Sequence, residues 1–371
     1  MGQTGKCVIH WFRRDLRIGD NPALQRASNH GLPVVPVHIL SKWTGKHPWT
    51  GPNRQQFLCD SLAALAETLG KISGRLVIRH GDTVSRLQEL IRETGAVALY
   101  FNKSPDPFGK SEEKAVAALC RRLGVECHAH HEVSLHDPTE VLTQSGNPYK
   151  VFTPYCRNWL TLDKPKPVPT PKALNTPKQI PSLDLPDLSV WKLKHPAAKI
   201  VEAGEAAANA RMNRFLRSKA SEYGDSRDFP AEDGTSRISQ DLRFGLISIR
   251  TLHANLVKAG KDAKPAARKN LEIYLKELAW REFYFAILHH FPEVLHHEFN
   301  PDWRGLPWDE PGEQFEAWKE GRTGFPIVDA GMRELLATGF MHNRIRMIVA
   351  MFLTKDLHID WRLGESGFME H

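Results

Sequence analysis

Three stretches in the second half of the chain carry side chains whose types and spacing could do chemistry. In NLEIYLKELAWREFYFAILHHFPEV (Asn270–Val294), Glu277, Trp280, Arg281 and Tyr284 recur at i, i+3, i+4 and i+7 and so share one face of a helix. At about 100° per residue that face centres roughly 125° from a stripe of Leu271, Leu275, Leu278 and Phe285, which reads as the core side. A carboxylate, an arginine and two aromatic rings away from the core suit flat, polar-edged rings and phosphates. The alternative is an amphipathic helix with a wet face, although a tryptophan seldom sits on such a face without a use. EYGDSRDFPAEDGTSRIS (Glu222–Ser239) sets Thr235, Ser236, Arg237 and Ser239 ahead of a helical pattern. Hydroxyls, backbone N–H groups and a guanidinium there make a phosphate site, or a helix cap that needs no ligand. In FMHNRIRMIVAMFLTKDLHIDW (Phe340–Trp361), Asn343, Arg346 and Met347 share a face with Arg344 at its edge. An amide beside an arginine suits a polar heterocycle or a phosphate, and Met347 is equally at home as core filler.

A fourth stretch opens the chain. In HWFRRDLRIGDNPAL (His10–Leu24), apolar residues that suit a buried strand run into Arg13, Arg14, Asp15 and Arg17 before a helical pattern begins. Basic groups where a strand gives way to a helix suggest an anion at the carboxyl edge of a sheet, or else a solvated loop.

The elements that must position these residues fall into two kinds. CVIHWF, PVVPVHIL, RLVIRHG, AVALYFN and VECHAHH read as strands, separated by the helical patterns NPALQRASN, PNRQQFLCDSLAALAETLGKI, DTVSRLQELIRETG and KSEEKAVAALCRRLG. This alternation predicts a doubly wound, Rossmann-like parallel sheet covered on both faces, over residues 5–135. No G-x-G-x-x-G accompanies it. Residues 136–199 read as a connector, and DKPKPVPTPKALNTPKQIPSLDLPD within it is too rich in proline for helix or sheet. At that length it should wrap one domain on its way to the other. From 200 to 371 the pattern is helical throughout, which predicts an all-α second domain.

Composition sets the outer bounds. With 371 residues, 41% hydrophobic and 25% charged, the chain has the profile of a globular protein with a sizeable core. It lacks an apolar run long enough to span a membrane and shows no signal-peptide pattern, so a cytoplasmic protein is expected. Five scattered cysteines without a C-x-x-C pair suggest reduced thiols, and the histidine-rich spots lack the framing of a metal site, so no metal is expected. A formal charge of +7 raises the odds of a nucleic-acid partner without deciding it.

WFRRDLRIGDNPAL, YKVFTPYCRNWL, RDFPAEDGTSRIS, KELAWREFY, GRTGFPIVDAGMREL and GFMHNRIRMIVAMFLTKDLHIDWRLGE together resemble the signatures of the photolyase/cryptochrome family, in order and over nearly the whole chain. The resemblance is greatest to the bacterial class I cyclobutane pyrimidine dimer photolyases. It implies an antenna-type α/β domain, which would contain the arginine-rich strand end, and a helical FAD-binding domain. It implies light-dependent repair of DNA containing pyrimidine dimers by electron transfer from reduced FAD, performed by a monomer. By the same resemblance Tyr223, Thr235, Ser236, Arg237, Ile238 and Ser239 would hold FAD, mainly through its phosphates, and Tyr274, Asn343 and Arg346 would contact it from later helices. The position of Tyr274 is commonly tryptophan in the bacterial enzymes. Glu277, Trp280, Arg281, Asn343, Arg344 and Met347 would meet a flipped-out dimer, Arg227 the DNA backbone, and Tyr284 would share that face. Glu277 would stabilise the dimer radical anion, and Trp308 and Trp361 would belong to the tryptophan chain that reduces the flavin. A folate or deazaflavin antenna is implied without being identified. Family members continue past GESGFM into a segment with two aspartates, an asparagine and two tryptophans, so the resemblance implies that these 371 residues are truncated. A cryptochrome-like photoreceptor without repair activity and an inactive fragment are the competing expectations.

Overall fold

All five β-branched runs become parallel strands in the computed structural model, which describes residues 6–371: β1 (Val8–Phe12), β2 (Val34–Leu40), β3 (Val77–His80), β4 (Ala98–Asn102) and β5 (Glu126–His130). The first residue of the expected 5–135 span lies outside the described residues. Helices α1 (Pro22–Ser28), α2 (Pro52–Gly70), α3 (Thr83–Thr94) and α4 (Pro107–Leu123) run between the strands. Three of them have side-chain caps, Asn21, Asp82 and Asp106 accepting from the backbone N–H groups of Leu24, Ser85 and Gly109, while α2 starts after Gly51 without one. The strand order is β3-β2-β1-β4-β5. Val8 and Phe12 enter one core and Ile9 and Trp11 another, so the sheet is buried on both faces, as its near-continuous apolar strands require. The chain winds outward in both directions from β1, which places a crevice at the carboxyl ends of β1 and β4.

The span 136–199 is not all connector. It first forms α5 (Phe152–Thr161), whose Tyr155, Cys156 and Trp159 are buried. The proline-rich stretch then wraps the α/β domain as expected. Leu174 accepts from Val34 N and donates to Ile72 O, Ser182 Oγ accepts from Ile78 N, and Leu183 N donates to Ile78 O. The last two bonds cover the outer edge of β3. Trp191, fully buried, then donates to Ser41 O.

Beyond it lie α6 (Glu205–Ser218), α7 (Tyr223–Ser226), α8 (Ser239–Arg243), α9 (Ile249–Lys261), α10 (Pro265–His290), α11 (Glu313–Glu320), α12 (Pro326–Thr338), α13 (Asn343–Met351) and α14 (Trp361–Glu370). Pairing among these residues is limited to one isolated parallel bridge, Asp309↔Ile359, among the described residues. α12 and α13 cross closely because Gly331 has no side chain; a Cβ there would stand 2.3 Å from Ile345.

The charged end of β1 joins the two halves, and every one of its arginines has a carboxylate partner. Arg13 pairs with Glu112 and Glu113, Arg14 with Asp106 at 2.7 Å, and buried Arg17 with Glu132. Arg17 also donates to Gly245 O at 2.8 Å, while buried Asp20 accepts from Arg250, Ser248 and Thr251. Glu205 receives the N–H groups of Ile18 and Gly19. Gly245, at φ +66, is required where the two backbones meet, since a Cβ would lie 2.0 Å from Arg14 O. Arg13 and Arg14 are thus neutralised by carboxylates of the α/β domain itself and only Arg17 of the three reaches the helical half, so the strand end is neither a plain solvated loop nor a cluster of unpaired cations.

Candidate functional site

α10 is the spine of the site. Its buried face is Asn270, Leu271, Tyr274, Leu278, Ala279, Glu282, Phe283, Ala286 and Ile287. The core stripe is therefore rotated from the expected one: Leu271 and Leu278 belong to it, but Leu275 and Phe285 are only half-buried. Glu277 and Trp280 are half-exposed and Tyr284 is 61% exposed, so three of the four expected residues share the outer face. Arg281 departs from them. Its guanidinium donates to Val133 O at 2.6 Å and to Leu242 O, and it lies 4.6 Å from the Phe285 ring. A long side chain at the edge of the face has turned inward, where one backbone carbonyl from the segment after β5 and one from α8 accept its hydrogen bonds.

The aromatic members form a ladder. The Phe152 ring at the start of α5 lies on Trp280 with centroids 3.5 Å apart and planes 8° apart, and Tyr284 stacks on Trp280 at 5.7 Å and 23°. Beside the ladder, charge pairs tie three elements together. Arg227, just after α7, pairs with Glu277, and Asp228 pairs with Arg344 of α13 at 2.8 Å. The Arg344 guanidinium holds Asp228 below the usual carboxylate range. Asn343 and Met347 lie exposed next to this pair on α13.

The Thr235–Ser239 turn packs behind the same region. Tyr274 donates to Ser236 Oγ at 2.9 Å and meets Tyr223 edge-on at 4.8 Å. Burial pushes the Tyr223 phenol up to about 12 and raises that of Tyr274 as well, so both rings are neutral donors near neutrality. Thr235 and Ser236 are half-buried, Ile238 is buried, and Arg237 and Ser239 are exposed. Arg237 takes a left-handed φ of +50 and lies 4.3 Å from the Phe340 ring, which sets the turn beside the start of α13. α8 begins without a side-chain cap, so capping does not explain the hydroxyls. Arg346 lies over Phe368 at 4.8 Å, and burial lowers its proton affinity. Arg54 of α2 is lowered first by burial and then by repulsion from Arg346 and Arg14, which marks a positive field between the domains.

Trp308 and Trp361 are brought to neighbouring strands of chain by the Asp309↔Ile359 bridge. Trp361 donates Nε1–H to Glu298 at 3.0 Å and carries the Arg362 guanidinium 4.6 Å from its ring. At the carboxyl edge of the sheet, a separate cleft of about 370 Å³ is lined by Arg14, His38, Lys42, Asp82, Lys103 and Glu132 among others. It occupies the crevice that the strand order predicts.

Residues 8–172 match the family model DNA photolyase, and residues 274–371 match the FAD binding domain of DNA photolyase. A deoxyribodipyrimidine photo-lyase of Agrobacterium fabrum is 41% identical over 98% of this chain and 76% of its own length. The chain belongs to the DNA photolyase family. A bacterial class III photolyase from Agrobacterium tumefaciens has the same fold, at TM-score 0.92 and 39% identity over 100% of this chain and 77% of that one. An archaeal photolyase from Sulfolobus tokodaii, solved with two FAD molecules, matches at TM-score 0.84 and 28% identity, over 98% of this chain and 79% of that one. The resemblance suggested class I, whereas the first of these solved relatives is described as class III; the assignment rests at the level of the photolyase family.

Two residues of this photolyase chain escaped the sequence reading. Glu282, 2% exposed, accepts from Leu135 N at 2.5 Å, His136 N at 3.3 Å and Trp159 Nε1 at 2.7 Å. A carboxylate in register with Leu271, Tyr274 and Leu278 was the available signal, because an acidic residue at a core position needs partners. Phe152 gave no such signal, as its contact with Trp280 joins helices far apart in sequence.

Proposed function

We propose that this chain repairs pyrimidine dimers in DNA in a light-dependent reaction that uses reduced FAD. The observation that carries the reading is the chain of charge pairs Glu277–Arg227–Asp228–Arg344, which links the outer face of α10, with Trp280, to the exposed start of α13, with Asn343 and Met347. An aromatic plane, an amide and a half-exposed carboxylate, rimmed by two guanidiniums, suit an extruded, polar-edged lesion between phosphates. Trp280 would stack on the dimer. Glu277 would hydrogen-bond its edge and stabilise charge that develops there, with Arg227 setting the orientation of the carboxylate. Arg344 would lie toward the DNA backbone.

The residues also suit FAD. Thr235, Ser236 and Ser239 offer hydroxyls and Arg237 a guanidinium to a pyrophosphate, Ile238 anchors their turn in the core, and Tyr223 and Tyr274 close its inner side. Asn343 and Arg346 would contact FAD from α13. When bound, FAD supplies the photo-excited electron. Trp308 and Trp361 would relay electrons from the surface, with Glu298 fixing the Trp361 indole. The cleft at the sheet edge would take a second chromophore, a reading supported by its place at the switch point and by its mixed lining of aromatic and polar side chains.

The test is an irradiated oligonucleotide incubated with the FAD-loaded protein in light and in darkness. Dimers should disappear in light alone, and Glu277→Gln should slow their loss by about 10²-fold. Persistence of dimers under light with FAD bound would overturn the proposal and favour a photoreceptor without repair activity.

A further inference from the structure

Phe152 and Trp280 form an eclipsed pair, 3.5 Å between centroids and 8° between planes. Free aromatic pairs slide to offset or edge-on arrangements, so this one is imposed by what holds Phe152. Phe152 is the first residue of α5 and also meets Phe283 edge-on at 5.9 Å. One turn further on, Tyr155 packs on Phe283 at 5.2 Å, and in the last turn fully buried Trp159 donates to Glu282. α5 is thus fastened to α10 at both ends, and Phe152 cannot swing away without breaking that packing. At 3.5 Å, no ring can enter between Phe152 and Trp280. Tyr284 is held differently: it is 61% exposed and stacks on Trp280 at a looser 5.7 Å and 23°.

We infer that Phe152 is a positioning residue for lesion recognition: it closes one face of Trp280, fixes the plane of the indole, and leaves the Tyr284 side for the ring of an extruded pyrimidine. This rests on the reading that Trp280 stacks on the dimer. A side chain already held in its binding plane loses little freedom when the substrate arrives, so pre-orientation adds to affinity for the lesion without adding a contact. Undamaged duplex, held through phosphates, gains nothing from it. Tyr284 yields by rotating into solvent.

The experiment measures dark binding of the full chain to a dimer-containing duplex and to its undamaged counterpart at one salt concentration, with thermal unfolding alongside. Phe152→Leu should lower the damaged-to-undamaged affinity ratio about tenfold while leaving undamaged binding unchanged, and Phe152→Tyr should restore the ratio. In a Trp280→Ala background, Phe152→Leu should cause no further loss, because it acts through the indole. Phe152→Met, closer in volume, replaces the leucine variant if that lowers the unfolding midpoint. If Trp280→Ala collapses the ratio but Phe152→Leu and Phe152→Met keep it, or if they lower it equally without Trp280, the inference is overturned and the lesion-stacking reading stands. If Trp280→Ala itself keeps the ratio, that reading falls and the inference falls with it.

Discussion

Glu277 and Arg227 form a half-exposed pair at the centre of the candidate site, and its value for folding and for binding should differ sharply. An ion pair this open contributes about 0–1 kcal/mol to stability, so Arg227→Ala should barely move the unfolding midpoint. It would, however, leave a carboxylate uncompensated on the surface proposed to face DNA phosphates. DNA affinity should therefore fall, and the slope of log affinity against log salt should become shallower by about 1, measured by a salt titration. Trp280→Ala tests a different term. It should weaken binding to dimer-containing DNA by about 1–3 kcal/mol, the usual value of one stacked base, with flavin content nearly unchanged. Equal affinity in mutant and parent would remove Trp280 from the site. At this scale the sequence was legible where helical spacing governs, as with Glu277, Trp280 and Tyr284. It was illegible where a flexible side chain chooses its own direction, as with Arg281.

Among the elements, α5 and α10 depend on one buried carboxylate. Glu282 accepts three N–H donors from the segment after β5 and from α5, so Glu282→Ala would strand those donors in the interior. Each buried donor left unsatisfied costs about 1–3 kcal/mol, and a total loss of about 3–5 kcal/mol in urea unfolding is expected. A loss below about 1 kcal/mol would mean that water replaces the carboxylate. The strands and helices of the α/β domain were legible because patterning and caps agree there: Asn21, Asp82 and Asp106 all cap as their types suggest. The core stripe of α10 was misplaced because Leu275 and Phe285 are apolar but half-buried, while Tyr274 and Glu282 are polar and buried. Hydrophobicity alone ranks these four in the wrong order. α5 was hidden inside a span whose proline-rich stretch, from Pro165 onward, begins only after it.

At the scale of the whole molecule, buried histidines make acid a destabilising direction, opposed between pH 4.5 and about 7 by buried Glu282, whose carboxyl burial raises to about 7. His38 is 7% exposed, and its burial pulls the imidazole down from 6.5 to about 4, outweighing its bond to Phe12 O and the nearby Asp15 carboxylate. The folded protein holds this ring neutral, so the stability it contributes is fully present above pH 6.5 and is lost as pH falls through about 4. The span corresponds to about 3 kcal/mol at most. His130 and His253 are depressed to about 4 in the same way, by burial first, and add to the same limb. His38→Gln should flatten the decline between pH 6.5 and 4 in denaturant-unfolding curves, and an unchanged slope would show that His38 protonates freely in the folded state. The two-domain arrangement was legible from the change in patterning. The neutralised strand end was not, because the partners of Arg13, Arg14 and Arg17 lie far along the chain at Glu112, Glu113, Asp106 and Glu132. Charge at one place in a sequence says nothing of the counter-charge that folding brings to it.

The bonds between β3 and the segment around Ser182 and Leu183 also impose an order on synthesis. As the chain leaves the ribosome, β3 emerges about a hundred residues before its cover, roughly 5–20 s earlier at usual elongation rates. During that interval the nascent sheet carries an open margin, the kind of surface on which neighbouring chains pair. Ile180 and Leu174 reach the hydrophobic cores only when the cover arrives. The smallest piece able to leave the ribosome safely is therefore not the five-stranded sheet but the sheet with its wrapping. A chain ended after residue 135 should self-associate more strongly in size-exclusion chromatography than one ended after residue 195, since both expose the face toward the helical half but only the first bares the margin of β3. Two identical profiles would show that the margin of β3 needs no cover.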